Sequence, residues 1–102
     1  MKIELLYFDA CPSWETALAN LRGALDEVGT GAPIELVRVE TPDEAVARQF
    51  TGSPSIRVDG RELFPTEQAN YSLSCRMYHT PEGLRGWPTR PMICEALDAQ
   101  GG

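Results

Sequence analysis

Apolar residues run almost unbroken from Ile3 to Phe8, interrupted only by Glu4, and the run stops at Asp9-Ala10. A short continuous apolar run predicts a strand buried on both faces, with Asp9-Ala10 as the turn at its carboxyl end. Beyond it the period changes. Trp14, Ala17, Leu18, Leu21, Leu25 and Val28 recur at helical spacing, which puts them on one face of a helix from about Pro12 to Val28, closed by Gly29. Ile34-Glu35-Leu36-Val37-Arg38-Val39 reads as a second strand, and a strand, helix and strand in this order predict a right-handed crossover with parallel strands. Thr41-Pro42-Asp43-Glu44 joins a cap, a proline and first-turn acids, predicting a short helix over residues 42–50 with Ala45, Val46 and Phe50 toward the sheet.

Ser55-Ile56-Arg57-Val58 and Arg61-Glu62-Leu63-Phe64 flank Asp59-Gly60, a two-residue turn signal that predicts an antiparallel hairpin. Residues 65–87 carry no regular period apart from an extended piece at Leu73 to Tyr78, and a connection of that length is more often functional or mobile. Pro88-Thr89 then opens a last helix with Met92, Ile93, Ala96 and Leu97 on one face, ahead of Gly101-Gly102.

Cys11 sits where the first strand gives way to the first helix. Pro12 suits a first helical turn, since its missing N–H could not be paired there in any case, so Cys11 falls at or beside the N-cap. Unpaired N–H groups and the positive end of the helix dipole favour an anion at that place, so a thiolate is expected to form more readily there than on a free cysteine. Glu15, in the first turn, opposes that ionisation.

The 102 residues, 42% hydrophobic and 24% charged, are read as one domain, 1–102. A net charge of -6, with Lys2 the only lysine, argues against a nucleic acid or an anionic membrane as partner. No stretch has the length of a transmembrane helix, and the start lacks the apolar region and cleavage site of a secretory signal. Three cysteines, an odd number without a dense framework, suit a reducing compartment, and a cytoplasmic location is expected.

Two motifs carry a resemblance: Tyr7-Phe8-Asp9-Ala10-Cys11-Pro12-Ser13-Trp14, and Gly52-Ser53-Pro54-Ser55-Ile56-Arg57-Val58 ahead of Asp59-Gly60. With the order β-α-β-α-β-β-α they resemble the thioredoxin fold over nearly the whole chain. The fold this implies is α/β, with a four-stranded mixed sheet and helices on both faces. Trp14 stands where a dithiol thioredoxin has its second cysteine. The chain more closely resembles small prokaryotic thioredoxin-like proteins, sometimes grouped as alkylmercury-lyase-like, that pair Cys-Pro-x-Trp with a later Ser-Cys-Arg, here Ser74-Cys75-Arg76. The resemblance implies Cys11 as nucleophile and Pro54 as a cis proline facing it, leaving the Ser53 backbone free to pair with an extended substrate.

The same comparison makes Cys75 the candidate resolving thiol, the alternative being a cysteine that anchors the loop. Arg76 is the candidate to stabilise the Cys11 thiolate. Trp14 packs the first helix onto the core or shields the thiol, and with Ser53, Pro54 and Arg76 it completes the candidate substrate-contacting set. Asp9 reads as a turn or capping residue, His79 as a solvated loop residue and Cys94 as a packing residue on the last helix. No cofactor and no structural metal are expected, because two thiols suit a soft ion and not a four-ligand zinc site. The function these readings imply is thiol-disulfide oxidoreduction on a thiol- or disulfide-bearing small molecule or protein. The alternatives are a soft-metal or organomercurial thiolate binder and a redox-inert interaction module.

Overall fold

A computed structural model describes residues 1–66 and 71–101. In it the apolar run Ile3–Tyr7 forms β1, an interior strand of a four-stranded sheet ordered β2-β1-β3-β4, with β2 at Ile34–Arg38, β3 at Ser55–Val58 and β4 at Arg61–Glu62. The sheet is mixed: β1 pairs parallel with β2, Leu5 opposite Leu36, and antiparallel with β3, Leu5 opposite Ile56. Alternation along β1 sends Ile3 and Leu5 to one face and Leu6 to the other, which is why the run had to be apolar at both parities.

Helix α1 (Ser13–Val28) and helix α3 (Arg90–Gly101) cover the first face, burying Ala17, Leu21, Ala24 and Leu25 with Ile93 and Leu97 against Ile3, Leu5, Ile56 and Val58. Helix α2 (Pro42–Ala47) lies with the second face, where Ala45 and Phe50 join Leu6, Val37 and Val39. Thr41 caps α2, its Oγ1 accepting from the Glu44 N–H at 3.1 Å. Among the described residues no helix is long and apolar enough to cross a membrane.

Several expectations are corrected. Pro12 is the N-cap of α1 and not a first-turn residue, and Val28, expected on the buried face, is exposed while Ala24 is buried in its place. The second strand ends at Arg38 and β4 at Glu62, each short of its expected end. Helix α2 stops at Ala47 because the chain turns at Arg48 and takes a left-handed conformation at Gln49, φ 54°. Within α2 it is Ala45 that packs on the sheet, and Val46, about 100° further round, faces solvent at 60% exposure. Residues 65–87 are not structureless: Tyr78–Thr80 (β5) and Gly83–Arg85 (β6) pair as an antiparallel hairpin. Strands of three residues are too short to show an alternating period, so the pattern could not reveal them. Residues 67–70 of that connection, and Gly102, lie outside the described residues. The Asp59-Gly60 turn forms as predicted, both residues at positive φ, 52° and 82°.

Replacing Ile93 by Ala, which empties a fully buried position between α1 and α3, is expected to cost about 2–5 kcal/mol in a denaturant titration. Val46→Ala is expected to stay within about 0.5 kcal/mol of the parent.

Candidate functional site

Cys11 ends a tight turn in which its N–H donates to the Phe8 carbonyl at 3.1 Å, and it directly precedes the N-cap Pro12 of α1. Nothing in the Pro12 side chain fills the open N–H groups there. The sulfur of Cys11 is fully buried, and its Sγ–H points at the Ser53 carbonyl oxygen 3.6 Å away. The Ser53–Pro54 peptide is cis.

Cys75 is brought to the same place by backbone pairing. The Ser53 N–H donates to the Ser74 carbonyl and the Arg76 N–H donates to the Ser53 carbonyl, both at 2.8 Å, which makes Ser53 and Cys75 a parallel bridge. Two hydrogen bonds to one residue thus bracket Cys75, each worth about 0.5–1.5 kcal/mol net. Cys75 Sγ then reaches Cys11 Sγ at 2.8 Å and donates its proton to it, 64 residues away in sequence. Both cysteines are free thiols, Cys11 buried and Cys75 exposed.

Further contacts hold the Cys75 segment down. Arg76 reaches Glu62 Oε1 at 3.4 Å, donates to the Phe64 carbonyl, and lies 4.6 Å from the centre of the Tyr78 ring. Glu62 simultaneously receives Arg57 Nε at 2.6 Å, so one carboxylate ties β3, β4 and the segment after Cys75 together. Tyr78 Oη donates to the Pro54 carbonyl at 2.6 Å, and burial raises its phenol well above the ordinary range. Gly52, at φ 126°, has no room for a side chain: a Cβ there would stand 2.9 Å from that of Arg76.

The predicted site residues therefore divide. Cys11, Cys75, Ser53 and Pro54 come together. The Arg76 guanidinium, expected to serve the Cys11 thiolate, bonds to Glu62 and the Phe64 carbonyl and lies over the Tyr78 ring. The Ser53 backbone, expected to be open to a substrate strand, is taken by Ser74 and Arg76 of the same chain. Trp14 stacks on Tyr7, ring centres 4.3 Å apart, and packs against the core under α1. Asp9 pairs with Arg38 at 3.1 Å, and His79 is exposed on β5. Cys94 lies against Ala24 and Glu27, about 20 Å along α1 from the sulfur pair at 1.5 Å per residue. Burial, then the Glu27 carboxylate, raise its thiol pKa.

Glu62 and Tyr78 are the site residues that sequence reasoning missed as anchors. Arg57 and Glu62 face each other across β3 and β4, so that half of the bridge was legible in the hairpin register. The Arg76 half was not, because it depends on where a distant segment returns.

Cys75 is pushed from 9.0 up to about 11, first by its hydrogen bond to Cys11, then by burial and by negative charge on Cys11. Alkylation of Cys75, followed by mass, should still accelerate as pH rises toward about 11, and Cys11→Ala should move that midpoint back toward 9.0. The native state holds this proton more tightly than the unfolded chain. Its contribution to stability is therefore complete below pH 9.0 and is lost as pH rises to about 11.

Ser53 Oγ is buried without a hydrogen-bond partner among the described residues. Ser53→Ala is accordingly expected to hold or raise stability, by up to about 1 kcal/mol, and a clear loss in the denaturant midpoint would contradict the unpartnered hydroxyl.

Comparison with models of known families, with curated proteins and with solved structures finds no match.

Proposed function

We propose that this chain is a thioredoxin-like thiol-disulfide exchange domain whose redox couple is Cys11 and Cys75. The observation that carries the reading is the 2.8 Å approach of the two sulfurs, made by segments far apart in sequence. A bonded pair sits at ~2.05 Å, so closing the disulfide asks for a displacement under 1 Å, roughly, and no refolding. The strand-turn-helix placement of Cys11 and the Ser53–Pro54 turn against its sulfur support the fold assignment.

The exchange passes two electrons. A substrate disulfide takes them from the two protein thiols and leaves as two thiols, while Cys11 and Cys75 become a disulfide; external thiols reverse it. Trp14, standing where a neighbouring cysteine would otherwise be, leaves Cys75 to supply the second sulfur from the long connection.

A second reading rests on the same juxtaposition. Two thiolates suit a soft ion such as Cu(I) or Hg(II), held between Cys11 and Cys75. Stoichiometric uptake without catalysed exchange selects this reading over the first.

The test is turnover of a small disulfide with an external thiol as electron donor. Cys11→Ser and Cys75→Ser should each lower the rate by more than about tenfold, because the fast intramolecular step that resolves the mixed disulfide is lost and only slower bimolecular attack by the external thiol remains. Cys94→Ser should leave it unchanged. Full turnover in either single variant of the couple contradicts the proposal.

A further inference from the structure

The redox reading leaves open which sulfur meets the partner. Cys11 is the sulfur at the helix start, but it has no exposed surface, and Cys75 lies over it. To reach Cys11 directly, a partner must lift the segment through Cys75. That breaks both Ser53 backbone bonds, the contacts of Arg76 with Glu62 and the Phe64 carbonyl, and then loosens Tyr78 from Pro54. Reaching Cys75 breaks none of them, because Cys75 is exposed where it stands. The Ser53 peptide, the edge along which an extended chain would pair, is already filled by residues 74–76.

Building on the proposed couple, we infer that Cys75 is the outer sulfur that exchanges with low-molecular-weight thiols and disulfides, and that Cys11 is the inner sulfur that closes and opens the disulfide behind it. In the oxidised protein an external thiolate attacks Cys75 Sγ. The Cys75–Cys11 bond breaks with its electron pair on Cys11, leaving a mixed disulfide on Cys75 and a thiolate on Cys11. In the reducing direction Cys75 gives its proton to a solvent base and attacks one sulfur of the small disulfide, releasing a thiolate. The released thiolate takes the Cys11 proton, and Cys11 then attacks Cys75 Sγ and expels the second thiolate.

Exchange depends on which sulfur an attacker can reach: Cys75 is exposed, whereas Cys11 has no exposed surface and lies beneath it. Attack therefore falls on Cys75, and Cys11 departs.

The experiment uses the chain carrying only Cys94→Ser, oxidised to the Cys11–Cys75 disulfide and mixed with 2-mercaptoethanol. Acid quenching, alkylation of free thiols and peptide mapping then locate the first adduct. Its appearance on Cys75, with Cys11 alkylated, is expected. An adduct on Cys11 overturns the assignment while leaving the couple intact. As a second measurement, reduced Cys11→Ser and Cys75→Ser chains react with hydroxyethyl disulfide at one pH. Cys75 in the first should be modified at least about tenfold faster than Cys11 in the second, and equal or reversed rates overturn the order. Failure of the couple reads differently: the Cys94→Ser chain then keeps an adduct on Cys75 and closes no disulfide, which removes the inner role of Cys11 together with the redox reading.

Discussion

The site depends on one peptide. Ser53 gives its N–H to Ser74 and its carbonyl to Arg76, and that parallel bridge places Cys75 over Cys11. Without it the connection from β4 to α3 has no reason to cross the carboxyl end of β1. Ser53 is available because the chain arrives at β3 through Gly52, whose φ of 126° and lack of a side chain let Arg76 close in. The bridge is then secured on its far side by charge and aromatic contact, with Glu62 shared by Arg57 and Arg76 and with Tyr78 fastened to Pro54. Removing one partner of such a half-buried triad leaves an uncompensated charge, which is the costly way to break it.

That arrangement separates two tasks held by neighbouring residues in Ser74-Cys75-Arg76. The cysteine lies against Cys11. The arginine next to it holds the segment through Glu62, the Phe64 carbonyl and the Tyr78 ring. The hydrogen bond from Cys75 to Cys11 makes the two sulfurs unequal: one is exposed and keeps its proton, the other is buried and accepts.

Much of the frame was legible in the sequence. The double-sided run Ile3 to Phe8, the helical period from Trp14, the cap at Thr41 and the Asp59-Gly60 turn each encode a local preference that the packed structure keeps. The position of Cys11 at the start of a helix followed from Pro12. What failed had non-local causes. Val46 lies in the expected helix yet faces solvent, because it is Ala45, about 100° away around α2, that turns to the sheet. The β5–β6 hairpin is too short to print a period. The approach of Cys75 to Cys11 closes a separation of 64 residues through backbone groups that carry no side-chain signature, and Arg76 finds its partner in β4, 14 residues back. Local pattern specifies elements; it does not say which loop returns to which turn.

The central claim is that Cys11 and Cys75 form one redox couple. The most direct test is mild peroxide oxidation of the full chain under non-reducing conditions, with free thiols alkylated and the peptides mapped by mass. The account predicts a Cys11–Cys75 disulfide within one chain, a loss of two hydrogens from the intact mass, and Cys94 alkylated. Cys11 and Cys75 recovered as separate adducts, or Cys94 linked to either, would contradict it.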